Sequence, residues 1–404
     1  MNRISKPVSW VPVFPTDLGS PIFLAAMGVY LSLAGAAGNP IDCDAGNCDY
    51  SWSKIGVLGI LFVLFYFSKG ISAKVTLKIA VYCILYFFVP IFYMLTSSYP
   101  MLLSSKIYGG FLGSFFGAYF VSLLLYRYGE GGMAKGLFQI LFLVLVVTVM
   151  YKIPRGLFDR GVYVFNGPII FGWLMAMGAL VACYLFLIQK NFSAIFYLAV
   201  FSVGVVLSFS RGPMVAFAVS LIVMLVADRR VSLFRSTKLA VAMVVALVGV
   251  VYIFRDAFFA SRLAEYGNSV LGGAEISREV LLGSRSTLYY EGIDALAGNL
   301  AFGIGGANFP DYSRFFGYPH NVHFEVLVEY GIFAFLAHVA LVVWMLRKSS
   351  GLLRALIVLF TVALSLSGDL SYIRYILAFG LPAILFGGLE GVAARRGAKR
   401  SAFT

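Results

Sequence analysis

Apolar runs of about 15 to 25 residues recur along the whole chain, each about long enough to cross roughly 30 Å of hydrocarbon. They take up most of its 404 residues, 61% of which are hydrophobic and only 12% charged. No water-soluble core needs or tolerates that balance, so the pattern points to an integral membrane protein built from helices. The runs predict about twelve transmembrane helices, over 20–38, 54–68, 79–97, 107–126, 137–152, 167–188, 192–209, 213–227, 239–254, 319–346, 355–367 and 373–390. The first run has no small-residue cleavage site and further runs follow it, so it reads as a span, not a cleaved signal.

Basic residues set the orientation. With twelve spans and a cytoplasmic N-terminus, the short inner loops collect most of the 31 Lys and Arg residues, among them Lys69, Arg127, Lys190, Arg229, Arg347 and Arg395. Both termini are then cytoplasmic. The net charge of +13 records this bias and contact with anionic headgroups, and gives little reason to expect nucleic acid as a partner. Cys83 and Cys183 fall inside spans and behave as small apolar residues. Cys43 and Cys48 share the first outer loop, where an oxidising compartment permits a disulfide.

The chain reads as a single membrane domain over 1–404, with one connection much longer than the rest. Residues 255–318 form an outer loop, a length that usually means function. Positive charge gathers there against the orientation rule, at Arg255, Arg262, Arg278, Arg285 and Arg314. Ser284 reads as an N-cap of a helix ending near Ala297 at Gly298-Asn299, with Arg285 in its first turn. A glycine-rich bend follows at Gly303-Ile304-Gly305-Gly306-Ala307-Asn308-Phe309. Earlier, Ser208-Phe209-Ser210-Arg211-Gly212-Pro213 interrupts two apolar runs and sets Arg211 at the outer surface. Arg155 and Arg160 fall in the third outer loop. No internal repeat is evident.

Two of the three histidines lie in Pro319-His320-Asn321-Val322-His323-Phe324-Glu325. Proline is tolerated in the first turn of a helix. The stretch therefore predicts the outer mouth of the tenth span, with His320 and His323 at i, i+3 on one face. Ionisable groups at a membrane edge are costly unless they serve a purpose. Guanidinium groups bind phosphate oxygens in pairs, and an imidazole is a natural acceptor for a hydroxyl proton. Arg211, Arg285, His320 and the Arg155/Arg160 pair on one face suit a lipid-linked diphosphate with an outward headgroup. The chemistry they outline is glycosyl transfer. His320 takes the proton of the acceptor hydroxyl, and arginines stabilise the departing diphosphate. Asn321 partners His320. His323 is either a supporting partner or a headgroup contact, and His338 a packing residue. Glu325 and Glu329 share a face at i, i+4, where each can orient a histidine, pair with an arginine or act as base.

His320-Asn321 followed after nine residues by Gly331 resembles the signature of bacterial O-antigen ligases and the related O-antigen polymerases. Ser210-Arg211-Gly212, Gly283-Ser284-Arg285 with Tyr289, Gly303-Ile304-Gly305 and Asn308-Phe309 are similar to further motifs of that family. The likeness covers roughly 195–345. It implies an all-α, GT-C-like membrane glycosyltransferase with a periplasmic active site in the bacterial inner membrane. It also implies metal-independent inverting transfer from an undecaprenyl-diphosphate-linked glycan, with no cofactor. The acceptor would be lipid A–core for a ligase, or a second lipid-linked glycan for a polymerase. Ala334 departs from the ligase signature. Other readings are a metal site at Asp42 and Asp44 after the first span, and a transporter of the same glycans.

Overall fold

The computed structural model describes residues 19–34, 52–68, 71–156, 167–208, 210–227, 285–313 and 318–386. The described residues contain helices and turns and no strand. The helices are α1 (Pro21–Ala34), α2 (Trp52–Phe67), α3 (Ala73–Tyr93), α4 (Pro100–Lys152), α5 (Gly167–Leu187), α6 (Ala194–Leu207), α7 (Arg211–Ala227), α8 (Arg285–Leu296), α9 (Val322–Lys348), α10 (Gly351–Leu366) and α11 (Arg374–Phe386). Every expected span except 239–254, which lies outside the described residues, coincides with one of them or with part of one. Four of the helices are long and apolar enough to cross a membrane: α3, α4, α5 and α9.

Helix α5 is the centre of the bundle. Its residues are buried from Ile170 to Leu187, and it packs against α4, α6, α7 and α10. On the other side, α4 holds α1 and α11. Small residues allow these close crossings. A Cβ on Gly28 of α1 would stand 2.6 Å from the Phe120 ring of α4, and one on Gly117 of α4 would stand 2.7 Å from Ala378 of α11. Backbones can approach this way where lipid offers no hydrophobic drive. By contrast, α3 leaves Leu77, Leu85, Phe88 and Phe92 exposed, an apolar face suited to lipid.

Two of the long helices are broken by glycine. In α4 the break is Gly129 (φ 68, ψ −178), and in α9 it is Gly331 (φ 81, ψ 179). The first agrees with the expected short loop between two spans. Around it, Arg127 donates to the Ser68 carbonyl at 2.9 Å. Glu130 accepts from the Leu352 amide at 2.6 Å and the Tyr184 hydroxyl at 3.1 Å. These contacts gather the ends of α2, the middle of α4, the end of α5 and the start of α10 at one basic face. The polar site forms toward the opposite face.

Candidate active site

The second break overturns the expectation of one helix over 319–346. Fifteen residues along a straight helix span about 22 Å, yet His323 Nδ1 and His338 Nε2 are 2.7 Å apart. Residues 322–330 therefore fold back on 332–348 in a tight V. The expected helix start also shifts. Pro319 lies before the helix, and Asn321 is the N-cap, its Oδ1 accepting from the amides of His323 at 3.0 Å and Phe324 at 3.1 Å. His320 precedes the cap in a left-handed conformation, φ 55, uncommon outside glycine. So the two histidines do not share a helix face. His320 is half-buried against Tyr318, ring centroids 4.3 Å apart.

The V also moves the stretch inward. His323 Nε2 donates to the carbonyl of Thr361, within α10 and short of its end at Leu366. The Gly331 corner lies the other way, where Tyr93 near the end of α3 donates to Phe302 at 2.5 Å. The sequence placed the polar stretch at the surface, whereas the short helix carries it down among α3, α4 and α10. Because a carbonyl only accepts, His323 holds its proton on Nε2. With both rings neutral, His338 Nε2 then donates to His323 Nδ1, and the Tyr86 hydroxyl donates to His338 Nδ1 at 3.0 Å. His323 is committed to protein on both nitrogens. His338 is the hydrogen-bonded packing residue expected.

A helix broken within a bundle must satisfy its freed backbone groups. The glycine-rich bend does this. Ile304 N donates to the Val328 carbonyl at 2.9 Å, Gly305 N to the Glu329 carbonyl at 3.0 Å, and Ile332 N to the Leu300 carbonyl at 2.8 Å. A side chain at Gly331 would run into the Ala301 carbonyl. Asn308 ties the bend to the approach to α4, its Oδ1 accepting from Ser98 N at 2.7 Å. Nearby, Tyr99 donates to Asp311 at 2.8 Å, a bond that holds its phenol above the ordinary range.

Between the V and α4 lies a charged group that the sequence reading missed. Lys106, buried in α4, places Nζ 2.5 Å from Glu325 Oε1 and 3.7 Å from Glu329 Oε1. Both carboxylates are fully buried. Glu329 Oε2 also accepts the Ala307 amide at 2.8 Å, which joins the glycine-rich bend to the ion pair. Glu325 thus pairs with a lysine, and neither an arginine nor a histidine. Beside them Asp369 is buried and caps Ser371 N at 2.8 Å. Arg374 donates to the Leu33 carbonyl at 2.9 Å, closing the end of α1. The one advance signal for Lys106 was its place at the edge of an apolar run, where an ionisable residue asks for a partner.

The arginines divide. Arg211 opens α7, and the next residue, Gly212, faces Leu366 at the end of α10. Arg285 opens α8, which runs alongside residues 322–330. Tyr289 meets Phe324, ring centroids 5.2 Å apart, and Gly292 faces Phe324 and Val328. The backbone of Arg285, one turn before Tyr289, is therefore set toward the Asn321 end of the V. Arg155, in the turn just beyond α4, is exposed and bound back to the end of that helix, donating to the Tyr151 carbonyl at 3.2 Å and lying 4.0 Å over the Tyr151 ring. It is not drawn into the group around Lys106. Arg160, Asp42, Asp44, Cys43 and Cys48 lie outside the described residues. Among the described residues no three His, Cys, Asp or Glu side chains converge as metal ligands.

Fold and site together define an all-helical membrane protein with an ionic group beneath a kinked, histidine-bearing helix. Residues 194–339 match the family model described as O-antigen ligase, a segment that runs from α6 through the break in α9. The family comprises glycosyltransferase-like ligases and polymerases that work on lipid-linked glycans. No curated protein sequence matches the chain.

Proposed function

We propose that the chain is a ligase that moves a glycan from an undecaprenyl diphosphate carrier to lipid A–core at the periplasmic face of the bacterial inner membrane. The carrying observation is the strained turn at His320. It lies inside the family-matched segment, and the helix starts bearing Arg211 and Arg285 are directed to the same end of the bundle. The basic face around Arg127, Lys190 and Arg354 supports a cytoplasmic assignment for that end. The opposite face, and the site with it, is then periplasmic, and both termini are cytoplasmic.

In this reading His320 takes the proton from the acceptor hydroxyl as its oxygen attacks the anomeric carbon. The bond from that carbon to the diphosphate breaks on the far side, its electron pair leaves with the diphosphate, and configuration inverts. Arg211 and Arg285 offset the charge that grows on the leaving oxygens. General-base help of this kind contributes about 10² to 10⁴ in rate. Diphosphate is already a good leaving group, so fixed cations suffice without a metal.

The test is transfer by purified protein in nanodiscs of a labelled undecaprenyl-diphosphate-linked glycan, with lipid A–core and a second lipid-linked glycan both offered and EDTA present. Product on lipid A–core is expected. Product on the second lipid-linked glycan alone makes the chain a polymerase, and transfer abolished by EDTA removes the metal-free step. Flipping of the donor with no glycosidic product makes it a transporter.

A further inference from the structure

Folding α9 back on itself leaves a groove on the side of the V that meets α3. The groove holds about 330 Å³ and is walled by α3 and both limbs of the V. That volume lies within the range of ligand sites, whose walls are mostly apolar. Small residues make the space: Ala334 and Ala337 on the long limb, with Pro90 on α3. Its floor is buried, at Val326 and Tyr330 of the short limb, His338 of the long limb, and Leu370. Its rim is exposed, at Leu85 and Val89 of α3 and Trp344 of α9. Leu85 belongs to the apolar face that α3 turns to lipid, so the groove opens onto the bilayer.

The walls select what enters. Among the described residues no Lys, Arg, Asp or Glu lines the groove, so nothing in it holds a phosphate by charge. The polar groups of the floor are turned elsewhere. Tyr86 donates to His338 at 3.0 Å, and the Tyr330 hydroxyl lies beside Gly306, 3.0 Å from where a Cβ would stand. At the corner end Tyr93 packs on Tyr330, ring centroids 5.5 Å apart, and donates to the Phe302 carbonyl, which ties α3 to the glycine-rich bend. A hydrocarbon chain suits such a groove, and a polar ligand does not.

The groove is also set apart from the arginines. The hydrogen-bond chain from Tyr86 through His338 and His323 to the Thr361 carbonyl runs from α3 across both limbs to α10. So α3 and α10 lie on opposite sides of the V. Arg211 is on the α10 side, since its neighbour Gly212 faces Leu366. A carrier whose diphosphate meets Arg211 has its head across the V from the groove.

We propose that this groove binds one acyl chain of a bilayer phospholipid, a resident lipid that buttresses the V from the side opposite α10. The choice of phospholipid over carrier rests on the reading that Arg211 meets the diphosphate; the seating of a chain does not. The chain covers the Tyr86 to His338 bond with hydrocarbon and supplies the dispersion contacts that an empty gap would forfeit.

The experiment needs no turnover. The full chain is placed in nanodiscs of phosphatidylethanolamine and phosphatidylglycerol, with a trace of phosphatidylethanolamine carrying a diazirine midway along one acyl chain. After illumination, labelled residues are mapped by mass spectrometry. Label is expected at Tyr86 and Leu341 in the groove, and at the exposed Phe88 and Phe333 outside it. Ala337→Phe fills the groove and should lose most of the label at Tyr86 and Leu341, while Phe88 keeps its own. Ala334→Leu, nearer the corner, should do the same, which covers the case of a poorly folded Ala337 variant. Val339→Phe, on the exposed side of α9 outside the groove, should label like the wild type. Label at Phe88 and Phe333 with none at Tyr86 and Leu341 would overturn the proposal, as would groove label that survives both filling substitutions. An undecaprenyl diphosphate added as competitor should leave the groove label in place; if it displaces that label, the groove is the carrier's and the phospholipid assignment falls. If the wild type transfers to no acceptor, the ligase reading fails and the groove labels still decide the lipid site.

Discussion

The breaks at Gly129 and Gly331 have nearly the same backbone conformation and opposite surroundings. At Gly129 a Cβ would meet nothing within 4 Å. At Gly331 it would collide with the backbone of Ala301 and Phe302. The first break is a turn at the basic face, flanked by Arg127, Tyr128 and Glu130. The second is wrapped by a glycine-rich bend that takes over its carbonyls, and it sits beside a buried ion group. One turns the chain around between spans, and the other folds a short helix back into the bundle and carries His320 with it. The same dihedral angles therefore cost little in one place and depend on everything around them in the other.

This contrast gives graded expectations for unfolding in nanodiscs. Lys106→Ala should be the most damaging, since it strands two buried carboxylates. A loss of about 3–5 kcal/mol is expected. Gly331→Ala should cost about 3 kcal/mol, combining a backbone region close to glycine-only with the overlap at Ala301. Gly129→Ala meets only the first of these and should cost about 1–2 kcal/mol. Equal losses for the two glycines would break the comparison. His323→Leu leaves His338 Nε2 without its acceptor and should cost about 2 kcal/mol. Glu130→Gln, at the basic face, should cost about 1 kcal/mol or less, because the amide oxygen still accepts from Leu352 N. A loss there as large as that of Lys106→Ala would contradict the view that the two ends are built to different tolerances.

Much of the architecture was legible in hydropathy alone, because a bilayer demands helices of a set length and apolar surface. The helix of the long loop was legible from its caps, and it runs from Arg285 to Leu296 with Gly298 at φ 92 just beyond. The V was not. Val326–Val328 and Ile332–Leu336 are apolar on either side of Gly331, so the hydrophobic run passes through the corner unmarked. His320 and His323 read as one helix face because Pro319 looked like a first-turn residue, whereas the cap at Asn321 and the left-handed turn at His320 part them. The ion group was hidden for another reason. Lys106 and Glu325 meet across 219 positions of sequence, and each alone resembles a surface charge at a helix end. Glycine at 331 and the bend at 303–305 were visible as motifs, but their joint role as a backbone cap requires the coordinates.

The central claim is that the turn before the short helix holds the base of a glycosyl transfer. The most direct test is single-turnover transfer of the labelled lipid-linked glycan by His320→Ala beside the wild type, with matched unfolding curves. A fall of about 10² to 10⁴ in rate at unchanged stability is the expected result. Undiminished turnover by His320→Ala would contradict the account.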